Sequence, residues 1–270
     1  MFKYLGLVCI VMEAWGYLVG VVVLIAGVFG GFLGFGGDVG EEGIRVASFN
    51  GQIFGDSKID KVGVDYYVDL IRGYDLFFLL EIRDKDGSSF DAVCDELVDY
   101  NYSCFVSERA GRSSSKEQVG VVWDSARVNV SSVYSLNDSE DVFEREPVIV
   151  GTDFGHEFWV VHLKPDDVVS EMSALEDVVK NRSADYADGA DEGVVLIGDF
   201  NADCSYYSER AHFLDWRWLI GDEVDTTTGR TDCAYDRVVV SDSVNVIGSG
   251  VVEIEGEVSD HHLVFVEIGE

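Results

Sequence analysis

From Ile44 to Ile268 the chain repeats one pattern: a short apolar run rich in β-branched and aromatic residues, a polar or amphipathic stretch, then another run. The pattern predicts strands at Ile44–Phe49, Leu76–Leu80, Val119–Trp123, Val148–Thr152, Phe158–Leu163, Val194–Ile197, Arg237–Val240 and Leu263–Ile268. Between them, 58–72, 89–100 and 168–181 space apolar residues three and four apart, as helices lying on a sheet do. The two prolines, Pro147 and Pro165, stand at segment edges. Many strands with a few covering helices imply two packed sheets flanked by helices, in one large domain.

The first 40 residues lie outside that pattern. Leu5–Met12 and Ala14–Gly37 hold no charge, with Glu13 alone between them, and a bilayer span needs roughly 20 apolar residues. No clear small-residue cleavage site stands before Asp38, so an uncleaved anchor is favoured over a removed signal. Lys3, the one positive charge nearby, puts the N-terminus inside and residues from Asp38 onward outside. Residues 1–40 are thus read as a hydrophobic anchor or signal segment with a short linker, and 41–270 as the folded domain.

Composition bears on where such a domain works. Residues 41–270 carry 18 Lys and Arg against 49 Asp and Glu, a net of −31 spread along the chain rather than gathered in a tail or in acidic repeats. In dilute buffer this self-repulsion opposes compaction; near 1 M salt the screening length falls to about 3 Å and the repulsion nearly vanishes. Lysines are few, namely Lys58, Lys61, Lys85, Lys116, Lys164 and Lys180. These features are those of a protein adapted to very high salt.

Cys9 lies in the apolar segment, leaving Cys94, Cys104, Cys204 and Cys233 as an even set without metal-finger spacing. Asn-x-Ser sites at Asn101, Asn129, Asn137 and Asn181 are compatible with an extracellular location, although such triplets often arise by chance.

The chemistry is concentrated at run ends. Val46–Phe49 leads into Asn50, Leu76–Leu80 into Glu81, and Val194–Gly198 into Asp199. Oxygen-rich side chains at strand ends suit a hard cation such as magnesium. Of five histidines, His162 closes a predicted strand and His261 follows Ser259-Asp260 just before the last one; His156, His212 and His262 are read as solvated surface residues. Two histidines with carboxylates to set their tautomers are what phosphodiester hydrolysis needs, one taking a proton from water and one protonating the leaving oxygen.

Ser48-Phe49-Asn50, Leu80-Glu81-Ile82-Arg83, Gly198-Asp199-Phe200-Asn201, Cys233-Ala234-Tyr235-Asp236-Arg237 and Ser259-Asp260-His261 occur in that order. With Ser107 to Arg112, Lys116-Glu117 and Arg145-Glu146-Pro147, the set resembles the deoxyribonuclease I family, over nearly all of 44–268. The wider superfamily of endonucleases, exonucleases and phosphatases shares the Asn, Glu, Gly-Asp-x-Asn and Ser-Asp-His parts.

The resemblance implies a four-layer α/β/β/α sandwich of two mixed, mainly antiparallel sheets flanked by helices. It implies that Asn50, Glu81, Asp199, Asn201 and Asp260 hold Mg2+ (or Mn2+) and the scissile phosphate. His261, oriented by Asp236, would be the general base and His162, oriented by Glu117, the general acid; the direction could be reversed without changing the pairs. Arg83, Arg112 and Arg145 match positions near DNA. Cys204 and Cys233 match a structural disulfide, whereas Cys94 and Cys104 either pair with each other or stay thiols. Asp225, Thr227 and Thr231 resemble one structural Ca2+ site, with Gly229 in place of a threonine, and Asp141 with Glu146 part of a second. Ser115 departs from the family pattern, standing where a tyrosine packs against the nucleotide, which bears on duplex affinity and cutting preference.

The expected activity is therefore a metal-dependent endonuclease, most simply a monomer, acting on double-stranded DNA outside the cell, membrane-anchored or secreted. A polyanion meeting DNA gains little from phosphate neutralisation, so binding is expected to be weak, metal-bridged and sequence-tolerant. The alternatives are a membrane-anchored phosphodiesterase or phosphatase acting on lipid headgroups or small phosphate esters, and a non-catalytic DNA-binding module.

Overall fold

Alternation along the strands decides the layering. In β2, Leu76, Phe78 and Leu80 point one way and Phe77 and Leu79 the other; in β7, Phe158 and Val160 oppose Trp159 and Val161. The computed structural model describes residues 43–112, 114–185, 193–207 and 211–269. Its elements in chain order are β1 (Ile44–Phe54), α1 (Asp56–Val62), α2 (Val64–Ile71), β2 (Leu76–Ile82), α3 (Ser88–Leu97), β3 (Tyr102–Val106), β4 (Gln118–Asp124), β5 (Val130–Ser135), β6 (Val148–Thr152), β7 (His156–His162), α4 (Val168–Asp185), β8 (Gly193–Asp199), β9 (Arg217–Trp218), β10 (Asp236–Val240), β11 (Val246–Val252) and β12 (Leu263–Ile268).

Two six-stranded sheets form, in the orders β11-β12-β1-β2-β4-β3 and β5-β6-β7-β8-β10-β9. Among the described residues only β1–β2 and β7–β8 pair in parallel, and the other ladders are antiparallel. The inner faces meet in one core, where Val46, Leu76, Phe78 and Val264 of the first sheet join Val150, Phe158, Ile197 and Val238 of the second. The outer face of the first sheet, with Ala47, Phe49 and Phe77, buries Tyr67, Val68 and Ile71 of α2 and Phe90, Val93 and Leu97 of α3. That of the second, with Trp159, Val161 and Leu196, buries Val168, Met172, Leu175 and Val179 of α4. This is the expected four-layer sandwich, its sheets mixed and mainly antiparallel.

Three features differ from the sequence reading. The helix expected over 58–72 is two helices, because Gly63 adopts φ +92° and breaks the turn between α1 and α2. Four strands were not anticipated, β3, β5, β9 and β11, and these are the four sheet edges. Both cysteine pairs are bonded: Cys94–Cys104 ties α3 to β3, and Cys204–Cys233 closes the loop after β8 onto the approach to β10. The longer crosslink stabilises the fold by roughly 3–4 kcal/mol on the chain-entropy view. The apolar segment at 1–40 lies outside the described residues; among the described residues no helix is long and apolar enough to cross a membrane.

Candidate active site

The two parallel pairs bring strand ends to one rim of the sandwich. Asn50 on β1 and Glu81 on β2 come from the first sheet, His162 on β7 and Asp199 on β8 from the second. Irregularities aim the first two. The β1–β2 ladder shifts register between Asn50 and Phe54, and β2–β4 shifts between Leu79 and Ile82. At the second shift Glu81 has φ +57°, a left-handed conformation costly for a side chain of its size. Its carboxylate is thereby turned to accept from Ile53 N at 2.9 Å and from Asn50 Nδ2 at 3.3 Å.

Gly198 explains the glycine before Asp199. Its φ is +139°, and a Cβ there would stand 2.1 Å from the Val161 carbonyl oxygen of the parallel neighbour. Beyond it Asp199 enters the site fully buried, and its Oδ1 accepts from Asn201 N at 3.0 Å. Asn201, itself at φ +48°, donates Nδ2 to Leu163 O at 2.9 Å and so anchors the turn to the end of β7.

The histidines form two carboxylate-bound pairs. His162 Nδ1 lies 2.5 Å from Glu117 Oε1, and His261 Nδ1 lies 2.7 Å from Asp236 Oδ2. Each carboxylate accepts a hydrogen bond from Nδ1–H and so leaves Nε2 as the atom that exchanges a proton. Both Nε2 atoms face a single atom, Asp199 Oδ2, at 3.5 Å from His162 and 3.6 Å from His261. Asn50 Nδ2 donates to the same oxygen at 3.1 Å.

Burial and charge oppose each other here. Burial works against the charged form of His261, but Asp236, Asp199 and Asp260 outweigh it and hold its pKa up at about 10. His162 is raised in the same sense: burial lowers it, and Glu117 and Asp199 more than compensate. Burial lifts Asp236 to about 6 against the pull of His261. Burial also acts to raise Glu117, yet His162, Arg145 and Arg83 hold it below the ordinary carboxylate range.

Among the described residues two groups have ligand atoms close enough to hold a cation, Glu81 with Glu117 and His162, and Asp199 with Asp236 and His261. Glu81 and Asp199, bridged by Asn50 Nδ2, supply the hard oxygen donors that Mg2+ or Mn2+ takes, so the donor set fits such an ion. Asp260 is the most open of the expected ligands, with 58% of its side chain exposed and Oδ1 3.7 Å from His261 Nε2.

The three arginines divide. Arg145 is largely buried; it pairs with Glu117 at 3.1 Å and donates to His162 O at 2.9 Å and Leu163 O at 3.2 Å. Arg83 lies between Glu81 and Glu117, 3.5 Å from each. Both therefore line the site and brace Glu117. Arg112 is engaged elsewhere, bonding Asp141 through Nε at 3.1 Å, while its backbone N–H donates to Glu144 at 3.0 Å. At the first calcium-like site, Asp225 Oδ1 accepts from Thr227 N and Cys233 N, and the Thr227 hydroxyl lies within hydrogen-bond distance of both Asp225 Oδ1 and Thr231 O. That loop is already closed by its own donors. Glu146 is partly buried in the Arg145 loop.

Some contributors were not singled out in the sequence. Ser259 Oγ donates to Asn50 O at 2.7 Å and accepts from His261 N at 3.1 Å, stitching the Ser-Asp-His turn to β1. Thr226 Oγ1 accepts from Asp236 N. Glu171 on α4 accepts from Glu144 N at 2.7 Å and Lys164 N at 2.8 Å, clamping the Arg145 loop to the segment after His162. Ser259 was visible within its motif; Thr226 and Glu171 carried no local signal. His156, His212 and His262 are not merely solvated: His262 Nδ1 accepts from Ile254 N, His212 bridges Tyr207 OH and Ser173 Oγ, and His156 Nδ1 contacts Phe154 O. Each is tied to local structure away from the Asp199 centre.

A metal-suited pair of histidine–carboxylate couples on a four-layer sandwich defines a class of phosphoester hydrolases, and the comparisons agree. Residues 48–261 match the Endonuclease/Exonuclease/phosphatase family. Mouse deoxyribonuclease-1-like 2 is 34% identical over 230 residues, covering 76% of this chain and 79% of its own. Chicken deoxyribonuclease-1 is 36% identical over 226 residues, covering 74% and 78%. Truncated TDP2 of Caenorhabditis elegans superposes with a TM-score of 0.63 at 15% identity over 86% of this chain and 100% of that one, a likeness of fold. The chain belongs to the endonuclease/exonuclease/phosphatase family, on its deoxyribonuclease I-like branch.

Proposed function

We propose that this protein is a metal-dependent endonuclease that hydrolyses DNA phosphodiester bonds with two histidines, outside the cell and at high salt. The observation that carries the reading is the convergence of His162 Nε2 and His261 Nε2 on Asp199 Oδ2. Two proton-transferring atoms gathered at one anionic centre fit general acid–base attack on a phosphodiester, and the deoxyribonuclease relatives supply the substrate class.

In this reading Asn50, Glu81, Asp199, Asn201 and Asp260 hold Mg2+ or Mn2+ together with the scissile phosphate. When bound, the ion polarises a phosphoryl oxygen and offsets the charge that develops on it. With a bound cation offsetting Asp199 and Asp260, two of the charges that hold its pKa up, His261 would be neutral and its Nε2 would take the proton of the attacking water while Asp236 stabilises the imidazolium through Nδ1. His162 Nε2 delivers a proton to the leaving sugar oxygen, with Glu117 holding its ring. Arg83 and Arg145 keep Glu117 ionised and present their remaining N–H groups toward the phosphates. Arg112 reaches DNA only by leaving Asp141. The 225–231 loop and the Asp141–Glu146 segment are proposed as Ca2+ sites of a structural kind. Two disulfides suit an oxidising compartment, and the apolar segment at 1–40 is proposed to anchor or export the domain.

The test is plasmid nicking by the full chain in molar salt with Mg2+, Mn2+, Ca2+ or chelator. His162→Ala and His261→Ala each lower the rate by about 100- to 10,000-fold. A phosphodiester with a nitrophenolate leaving group needs no acid, so it restores His162→Ala and not His261→Ala; the opposite rescue reverses the two roles. Full activity in chelator defeats the metal-dependent mechanism, and turnover of phospholipid headgroups with intact plasmid defeats the nuclease reading.

A further inference from the structure

Residues 41–270 hold six lysines among 49 acids, and a lysine in such surroundings is expected to face a carboxylate. Lys164 and Lys180 do, pairing with Asp167 and with Glu176 and Asp215. Lys58 and Lys61, one turn apart on α1, instead donate to consecutive backbone carbonyls, Lys58 Nζ to Val258 O and Lys61 Nζ to Glu257 O at 3.0 Å. Lys58 Nζ also donates to Gln52 Oε1 at 3.1 Å. The helix that carries them buries none of its seven residues and only leans Ile59 and Val62 on the outer core. Core packing therefore gives little reason for α1 to be where it is.

The bonds of Lys58 join two stretches of the candidate active site. Gln52 lies in the irregular part of β1, where its backbone N–H donates to Asn50 Oδ1 at 2.9 Å. Val258 comes directly before Ser259-Asp260-His261, and its side chain is buried in the outer core. Apolar contact has no direction, so the angle of that turn is set by hydrogen bonds. One is the bond from Ser259 Oγ to Asn50 O at 2.7 Å, and the same hydroxyl receives His261 N at 3.1 Å. A single tie leaves a pivot. Lys58 adds the second, and the 3.6 Å between His261 Nε2 and Asp199 Oδ2 depends on the angle that the two ties fix. Burial pushes the Lys58 ammonium below the usual lysine pKa, whereas Asp260 and Glu81 act to raise it, so it stands within the field of two expected metal ligands.

We propose that Lys58 is a positioning residue for the reaction, aiming His261 Nε2 by holding the Val258 carbonyl against the Gln52 end of β1. The proposal deepens the two-histidine reading and rests on it. Lys61 supports the same turn one carbonyl earlier.

The experiment is a double-mutant cycle on the full chain in molar salt with Mg2+, read on plasmid and on a nitrophenyl phosphodiester, with Tm measured for each protein. Lys58→Met keeps the aliphatic stem and removes the donor. Its kcat for nicking should fall about 10- to 100-fold at unchanged KM, the usual effect of misaiming a reacting group by about 1 Å. Lys58→Arg keeps a donor and should recover most of that loss. On the nitrophenyl ester, Lys58→Met should cost the same factor in a His162→Ala background and nothing further in a His261→Ala background, since only the second lacks the group being aimed. The cycle reads coupling to His261 whichever proton that residue moves. Equal losses in both backgrounds, with or without a large fall in Tm, give Lys58 an ordinary structural role and overturn the proposal. So does a rise in KM at constant kcat, which would assign Lys58 to substrate, or no loss at all. A variant too unstable to assay also overturns it, because the tie would then hold the fold and not the aim. A parent that leaves plasmid intact defeats the nuclease reading instead.

Discussion

Asn50 and Asp199 come from different sheets and meet at 3.1 Å, the amide Nδ2 of one donating to the carboxylate Oδ2 of the other. Asn50 also donates to Glu81 Oε1 at 3.3 Å, so one neutral amide holds two carboxylates together. Asn50→Asp replaces the donor with a third carboxylate. The metal-free variant should unfold more readily by about 1–3 kcal/mol, since buried acceptors lose their partner. Mg2+ should then raise its Tm more than it raises the parent's, because an added anionic oxygen suits a hard cation. Differential scanning calorimetry with and without Mg2+ checks both; a smaller Mg2+ response in the variant counts against a cation at this position.

The His261–Asp236 pair makes metal-free stability depend on pH. His261 rises from an ordinary 6.5 to about 10, so its contribution is complete below 6.5 and is lost as pH climbs through 10. Asp236 rises from 3.8 to about 6, so its contribution is complete below 3.8 and is lost as pH rises through 6. In chelator, stability should therefore decline between pH 6.5 and 10, and His261→Gln should flatten that slope. Tm against pH for the two proteins measures it; parallel curves would remove His261 as the cause.

Gly198→Ala should destabilise the fold by about 3 kcal/mol, since the added Cβ meets the Val161 carbonyl and the backbone is at φ +139°. Nicking activity should fall further than stability does, because the β7–β8 contact sets the distance between His162 and Asp199. Urea unfolding and initial rates at saturating DNA separate the two. Unchanged activity in the folded variant would show that the spacing tolerates more than this geometry implies.

Salt should act on the whole domain. With net −31 on residues 41–270, Tm and plasmid nicking should both rise from dilute buffer toward 1 M salt, as the screening length shrinks from about 10 Å at 0.1 M to about 3 Å. Rates and melting curves across a KCl series give the answer. Activity that is highest in dilute buffer and falls steadily toward molar salt contradicts the high-salt reading.

The eight strands legible in the sequence are the interior strands of both sheets, whose two buried faces demand near-continuous apolar runs. The four missed are the edges. Val130–Ser135 and Val246–Val252 are only partly buried, so neither alternation nor apolar density marks them, and Arg217–Trp218 is two residues long. Gly63 was readable as a glycine within a helical pattern, but its positive φ is set by how α1 and α2 each reach the sheet.

By itself the sequence determined the strand-and-helix alternation, the acids and amides that end the strands, the two histidines, and the family they belong to. All of these are local, carried by the period of apolar residues or by short motifs. Only the tertiary structure decided that Asp199 Oδ2 faces both rings, that Arg112 is held by Asp141, and that Cys94 pairs with Cys104. Asn50 and Asp199 are 149 residues apart, and only burial of both inner sheet faces in one core brings them within a hydrogen bond. Long-range contacts of that kind are formed by packing, which no short stretch of sequence encodes alone.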